Sequence, residues 1–167
     1  MTASTVDTST MVLADHYRRV MGGVPTSIAV VSGTTRAGEP VGLAVGTFTS
    51  VSLDPPLVSF CPGASSSSWP LIRTTGSFCV SVLASDQRGV CDVFASKRAD
   101  KFNGLSWREA RNGSPMLDGA VAWVECDLEL EHEAGDHTIA IGRVSHVQAG
   151  PGGAPLVFLG GRYIGVL

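Results

Sequence analysis

The sequence predicts a mainly β fold with helical inserts, built as a barrel or sandwich of antiparallel strands. Short apolar runs recur at close intervals, turn-forming residues separate them, and one run alternates between apolar and charged residues. The alternation of strands with helices is too sparse for a doubly wound parallel sheet. The 167 residues suit a single domain. We place it at residues 11–167, after a flexible N-terminal tail at residues 1–10.

The first third of the chain is predicted to hold one helix and a long extended segment. Val12 to Met21 has an amphipathic pattern and is followed by two glycines, which predicts a short helix. Ser27–Ser32 predicts a strand, and the polar turn Thr35–Pro40 separates it from an extended segment at Val41–Val51. Asp54–Pro56 ends that segment, because proline cannot donate a hydrogen bond to a sheet.

Two short helices are predicted between the later strands. Ser65–Ser68, here called the serine loop, offers N-cap hydroxyls ahead of a helix at Trp69–Arg73. A second helix, which Ser85 or Asp86 would cap, runs to about Ala95. Further strands are predicted at Leu57–Cys61, Ser77–Leu83, Pro155–Leu159 and Arg162–Val166.

The clearest periodicity lies in Val124–Glu131, where apolar residues and carboxylates alternate one by one. This pattern predicts an antiparallel strand with one face in solvent, and Thr138–Val147 is its expected hairpin partner. The carboxylates could instead be acid–base machinery, but their regular spacing favours a solvated sheet face. His132 and His137 stand five residues apart, which does not fit one helical face, so we expect no zinc site.

Composition excludes several classes of function. The net charge of −3 and the pI near 5.7 argue against nucleic-acid binding, which normally requires a basic surface. No run approaches the length of about 18 apolar residues that suggests a membrane span, and the N-terminus does not resemble a signal peptide. We therefore expect a cytoplasmic protein that binds no membrane. Charged residues make up only 16% of the chain, which suggests that a partner subunit covers part of the surface.

The four cysteines are expected to be buried free thiols in a reducing compartment. They form no C-x-x-C pair and lie among apolar neighbours, which makes a disulfide framework the weaker interpretation. Two other patterns stay open. The serine loop could bind a phosphate or merely cap a helix. The glycines of Val41–Ser50 could admit a flat ring close to the backbone, or could mark a bulged barrel strand.

Gly42–Val58 resembles the long N-terminal motif of the short-chain flavin reductases, which have the FMN-binding split-barrel fold and supply reduced flavin to two-component monooxygenases. The similarity covers about residues 15–165 in the right order. It continues through Ser66–Trp69, Phe94–Ser96, Asp100–Gly104, Leu117–Ala120 and Gly135–His137. The resemblance implies a homodimer, a split antiparallel β-barrel and a flavin bound near the subunit interface.

The resemblance also implies which residues contact the flavin. Thr47–Ser50 would bind the isoalloxazine and ribityl parts, and Cys61–Pro62 would flank the ring. Ser67 and Ser68, with Ala95–Ser96 and Lys101, would hold the phosphate. The residues it assigns to the cofactor are Val41, Gly42, Leu43, Ala44, Gly46, Thr47, Phe48, Thr49, Ser50, Cys61, Pro62, Ser67, Ser68, Ala95, Ser96, Lys101, Phe102, Gly135 and Asp136. Gly46 and Thr47 depart from the commoner family residues, so a contact at Gly46 can come only from backbone.

His137 is the catalytic residue that the resemblance implies, on the side of the nicotinamide. The implied reaction is hydride transfer from NADH or NADPH to N5 of FMN or FAD. Neither the flavin nor the nicotinamide is specified by the sequence. The implied partner is a reduced-flavin-dependent monooxygenase, which diffusing flavin could reach without contact between the proteins. The alternatives are a flavin-binding protein that stores flavin or senses redox state, and an oxidase acting on a phosphorylated vitamer, which the scarcity of basic residues disfavours.

Overall fold

The structure, a computed structural model, describes the backbone of residues 8–165 and the side chains of residues 13–164. Its helices are α1 (Thr8–Met21), α2 (Trp69–Ile72) and α3 (Arg88–Ala95). Its strands are β1 (Thr26–Ser27), β2 (Ala29–Thr34), β3 (Pro40–Val45), β4 (Thr49–Leu53), β5 (Pro56–Phe60), β6 (Ser77–Val82), β7 (Trp107–Glu109), β8 (Pro115–Leu117), β9 (Ala122–Ala134), β10 (His137–Ala149), β11 (Leu156–Leu159) and β12 (Arg162–Gly165). None of the helices described is long and apolar enough to cross a membrane.

Seven strands form one antiparallel sheet in the order β3-β2-β6-β9-β10-β5-β4. Six of them send side chains into one buried cluster, which includes Val31, Leu43, Phe60, Phe78 and Ala140. A single sheet can converge on a common core in this way only if it curls towards a barrel. This arrangement confirms the predicted mainly β class. Two smaller sheets, β1-β11-β12 and β7-β8, lie beside it.

Strand β2 is buried on both faces, because a second apolar cluster lies outside the curled sheet. Val31 points into the barrel core, whereas the adjacent Val30 packs with Leu83 and Phe94 in the outer cluster. Phe94 belongs to α3, so the outer cluster holds that helix against the sheet. The C-terminal end of α3 is thereby placed beside β3.

The β9–β10 hairpin is confirmed and is longer than the sequence predicts, with 13 residues in each strand. Its turn contains Gly135 with φ +66°, a conformation that favours glycine. A bulge at Glu129 interrupts the alternation of the sequence pattern, because two residues of β9 there oppose one residue of β10. Leu130 is consequently exposed although it continues the apolar series.

The predicted solvated carboxylate face is wrong at Glu125, which is only 3% exposed. One of its carboxylate oxygens accepts a hydrogen bond of 3.1 Å from the backbone N–H of Asn112. Asn112 lies in the turn between β7 and β8, two short strands that the sequence pattern does not reveal. The β7–β8 hairpin therefore covers the face of β9 at Glu125, which the alternating sequence pattern predicts to be exposed to solvent.

Several element boundaries differ from the predictions. Helix α1 begins at Thr8, inside the segment predicted as a tail, and residues 1–7 lie outside the described part of the chain. The extended segment at Val41–Val51 is divided into β3 and β4 by a break after Val45. The N-cap of α3 is Gln87 and not Ser85 or Asp86, and it makes no side-chain capping bond.

Candidate functional site

Two adjoining cavities open beside β3, between the serine loop and the segment that follows α3. We call them the inner cavity, of about 240 Å³, and the outer cavity, of about 310 Å³. The structure brings nine predicted cofactor residues together in their walls, namely Val41, Gly42, Leu43, Ala44, Ser67, Ser68, Ala95, Ser96 and Lys101. These residues come from three separate segments of the chain that only the folded sheet makes neighbours.

Lys101 is the buried cation of this site, with 8% of its surface exposed. Its ammonium donates hydrogen bonds to the carbonyl oxygens of Phe94 at 3.0 Å and Gly42 at 3.3 Å. Within residues 13–164 no carboxylate forms an ion pair with it. Burial lowers the pKa of Lys101 because it disfavours the charged form. A buried charge held only by neutral carbonyls fits an anionic ligand at the cavity wall.

The serine loop divides its hydroxyl groups between capping and the cavities. The Ser66 hydroxyl accepts a hydrogen bond of 3.2 Å from the backbone N–H of Trp69, at the start of α2. Ser68 is the formal N-cap but makes no side-chain capping bond. Ser67 and Ser68 instead line both cavities. Ser66 also lines the inner cavity, so both interpretations of the cluster have a structural basis.

Position 42 needs a glycine because the ring of Phe94 packs directly against its Cα. A Cβ atom on Gly42 would lie 2.7 Å from Cε1 of Phe94, closer than real Cβ atoms come to a neighbour. The flat ring that approaches the backbone here is thus the phenyl ring of Phe94. Phe102 packs edge-on against the same ring, with centroids 5.0 Å apart, and lines neither cavity.

His137 begins β10 and lies beside the loop that follows β5. The backbone N–H of Thr138 donates to the carbonyl of Pro62 at 3.0 Å, and that of Ala64 donates to the carbonyl of Asp136 at 2.9 Å. A Cβ atom on Gly63, which lines the inner cavity, would be 3.8 Å from Nε2 of His137. The imidazole therefore lies beside Gly63 at the rim of the inner cavity, and His137 itself is not among the residues that line either cavity.

Asp136 fixes the orientation of this imidazole. Its carboxylate Oδ1 lies 2.8 Å from Nδ1 of His137, and this hydrogen bond lowers the pKa of Asp136. An ionised carboxylate can only accept, so Nδ1 carries the proton of this hydrogen bond and Nε2 is turned away from the carboxylate. Asp136 and Gly135 form the hairpin turn and do not line either cavity.

The remaining predicted residues lie in the segment after β3, which continues into β4, and just after β5, where the two segments meet. The Thr47 hydroxyl accepts a hydrogen bond of 2.8 Å from the backbone N–H of Cys61, which holds the two segments together. β4 is the edge strand of the seven-stranded sheet, and Thr49 and Ser50 are exposed on it. Gly46, Thr47, Phe48, Thr49, Ser50, Cys61 and Pro62 line neither cavity.

Residues that the sequence prediction missed include Lys97, which lines both cavities, and Arg98, which lines the outer cavity. The signal was available, since Lys97, Arg98 and Lys101 are three basic residues within five positions of a chain that is poor in charge. Leu71 and Glu39 also line the outer cavity, but no local pattern marks them. No cluster of three metal-ligating side chains occurs in the described part of the chain.

The sequence profile of the flavin reductase-like domain family matches residues 21–166. The chain is 50% identical to a flavin reductase of Pseudomonas putida over 149 residues, which is 89% of this chain and 88% of the relative. Among solved structures, nitrilotriacetate monooxygenase component B of Mycobacterium thermoresistibile superposes with a TM-score of 0.90 at 38% identity. That match covers 95% of this chain and 89% of the other.

A third match is the NADH:FAD oxidoreductase SgcE6 of Streptomyces globisporus C-1027, solved with NAD and FAD fragments. Its TM-score is 0.85 at 36% identity, covering 97% of this chain and 96% of SgcE6. These matches confirm the predicted split-barrel class, the use of flavin and NADH, and the supply of reduced flavin to monooxygenases. The chain therefore belongs to the flavin reductase-like domain family and is an NAD(P)H-dependent flavin reductase.

Proposed function

We propose that the chain binds the phosphate-bearing end of its flavin in the inner cavity, and that His137 positions the nicotinamide at the rim of that cavity. The observation that carries this proposal is the environment of Lys101. Its buried ammonium has only carbonyl partners, and it shares a wall with Ser67 and Ser68. These groups supply the charge and the hydroxyl donors that a phosphate requires.

The bound flavin supplies the redox chemistry, by accepting a hydride from the reduced nicotinamide. The chain has to hold the two rings in contact and provide hydrogen bonds where charge develops. β4 is an edge strand, so its outward backbone N–H groups are free to donate to a ring beside Thr49. Asp136 holds the imidazole of His137 in one orientation through Nδ1, which leaves Nε2 available to contact the nicotinamide.

The protein is proposed to act as a homodimer. Helix α1 exposes the apolar side chains of Leu13, Tyr17 and Val20, and Leu53 in the β4–β5 hairpin is 94% exposed. Apolar side chains gathered on one helix face are typical of a covered interface. A second copy would account for them and for the low charge content. Light scattering should then give twice the 17.3 kDa of one chain.

A separate monooxygenase is proposed to consume the reduced flavin, in the cytoplasm. All four cysteines are free thiols, which fits a reducing compartment. Reduced flavin can travel by diffusion, so a permanent complex is not required. Oxygenase activity in a coupled assay should persist when a dialysis membrane separates the two proteins.

Steady-state kinetics of purified protein with FMN or FAD and NADH or NADPH test the function. We expect oxidation of the nicotinamide that depends on added flavin. The Lys101→Met variant should raise the KM for flavin about tenfold or more, because it removes the charge and keeps the chain length. Flavin binding without nicotinamide oxidation would indicate a storage or sensing protein instead. An unchanged KM for flavin in Lys101→Met would show that the phosphate does not bind at this wall.

A further inference from the structure

The outer cavity continues from the inner cavity at the wall proposed to hold the phosphate. Ser67, Ser68, Lys97 and Lys101 line both cavities. Gly63, which lies beside His137, lines the inner cavity and not the outer one. A flavin with its ring towards His137 therefore brings its phosphate to the shared wall. Any group attached beyond that phosphate would enter the outer cavity.

The charges around the outer cavity suit a second phosphate. Lys97, Arg98 and Lys101 line it, against Glu39 as the one carboxylate in its lining. The Arg98 guanidinium is held by the carboxylate of Asp100, with both contacts at 3.2 Å. That pairing holds the guanidinium beside the cavity, where its charge adds to that of the two lysine ammonium groups facing a diphosphate.

The outer part of this cavity has the mixed character that a nucleoside needs. Leu71 and Val41 supply apolar surface, while Glu39 supplies a carboxylate that can accept hydrogen bonds from ribose hydroxyls or an amino group. Glu39 lies in a closed turn, because its carbonyl accepts from the backbone N–H of Thr35 at 2.8 Å. The volume of the outer cavity, about 310 Å³, lies at the lower end of the usual range for ligand pockets.

We propose that the outer cavity binds the adenosine monophosphate half of FAD, and that the enzyme consequently prefers FAD to FMN. This inference rests on the proposed function, which places the flavin phosphate at the shared wall. NADH carries the same adenosine diphosphate chemistry, but the continuity of the two cavities assigns the outer one to the flavin. The residues that set the preference are Leu71 and Arg98, which line only the outer cavity.

Titrations of FAD and FMN, followed by flavin fluorescence, test this assignment. The wild-type chain should bind FAD about tenfold or more tightly than FMN. Leu71→Trp places a large side chain at the cavity from a half-exposed position, so it should reduce the FAD-to-FMN affinity ratio to about one. Arg98→Ala should weaken FAD binding about three- to tenfold without changing FMN binding. Arg111→Ala removes an exposed arginine that lines neither cavity and should change neither affinity.

Equal wild-type affinities for FAD and FMN would overturn the proposal. So would a loss in Leu71→Trp that is the same for both flavins, since the outer cavity would then serve the FMN part. A higher KM for NADH in Arg98→Ala, with FAD binding intact, would assign the cavity to the nicotinamide dinucleotide. Each of these results leaves the proposed reductase function standing, whereas failure of both flavins to bind the wild-type chain would overturn both.

Discussion

The indole Nε1 of Trp69 donates a hydrogen bond of 2.8 Å to a carboxylate oxygen of Glu131, and this contact ties the serine loop to the hairpin that carries His137. Trp69 is 3% exposed and packs edge-on against Phe60, with centroids 5.0 Å apart. The other Glu131 oxygen lies 3.5 Å from the guanidinium of Arg73, at the end of α2. One carboxylate on β9 therefore holds both ends of the helix that follows the serine loop.

Glu131→Ala should raise the KM for flavin about tenfold and leave kcat at saturating flavin within about twofold of wild type, because a lost charged hydrogen bond costs about 1.5–3 kcal/mol. Glu131→Gln keeps an acceptor for Trp69 and should restore most of the affinity. Steady-state kinetics at varied flavin separate KM from kcat. A fall in kcat with an unchanged KM would show that Glu131 does not act by positioning the serine loop.

His137→Ala should raise the apparent KM for NADH and slow flavin reduction, with flavin affinity nearly intact, because His137 stands at the rim of the inner cavity. Stopped-flow reduction at varied NADH measures both quantities. His132→Ala is the matched control, since His132 is exposed on the same hairpin. An unchanged rate constant and KM in His137→Ala would remove this side chain from the nicotinamide site.

Flavin affinity should fall in alkaline solution at a pH below the ordinary lysine pKa of about 10.4. The reason is that burial lowers the pKa of Lys101, so the folded protein loses this proton, and the attraction for phosphate, earlier than an exposed lysine would. Titrations at a series of pH values compare wild type with Lys101→Arg, which stays charged. Identical pH profiles for the two proteins would contradict this role, because titration of the ligand is common to both.

A disulfide reagent such as dithiobis(nitrobenzoate) should label Cys61 in the folded protein and spare the other cysteines. Cys61 is half-buried, whereas Cys79, Cys91 and Cys126 are buried. Burial raises the pKa of Cys79 and Cys126 to about 12, so almost no reactive thiolate forms at neutral pH. Saturating flavin should slow the labelling, since the resemblance places Cys61 beside the ring. Cys61→Ser should abolish labelling, and unimpeded labelling with flavin present would separate Cys61 from the cofactor.

Gly42→Ala should lower the free energy of unfolding by about 1–3 kcal/mol, because the new methyl group would overlap the Phe94 ring. Gly89→Ala is the control, since Gly89 lies in α3 with open space around its Cα. It should raise the free energy of unfolding by about 0.5–1 kcal/mol, through better helix propensity. Chemical denaturation measures both changes. Equal effects of the two substitutions would rule out the contact with Phe94 as the cause.

Local sequence patterns predict most strands of the seven-stranded sheet, because alternation and turn residues are visible in neighbouring positions, but they miss β7 and β8. The hairpin of β9 and β10 is the clearest case. The burial of Glu125 could not be predicted, because a hairpin from another part of the chain covers it. The same holds for Gly42, whose neighbour Phe94 is 52 positions away. Contacts of this kind depend on topology, which a period of two does not encode.

The resemblance of motifs predicts more of the candidate site than hydrophobic periodicity does. It placed nine residues that the fold brings to the two cavities. It did not reveal the outer cavity, because Leu71 and Glu39 have no distinctive neighbours in the sequence. Lys97 and Arg98 could have been found, since adjacent cations are unusual in a chain with only 12 basic residues.

The walls of the inner cavity come from chain segments as far apart as Leu43 and Lys101, so they are assembled only in the native protein. Flavin therefore has no comparable site on the unfolded chain, and mass action makes it a stabiliser. Each tenfold increase of free flavin above its dissociation constant adds about 1.4 kcal/mol to the free energy of unfolding. In cells depleted of flavin, this reductase would consequently be at its least stable and most susceptible to proteolysis.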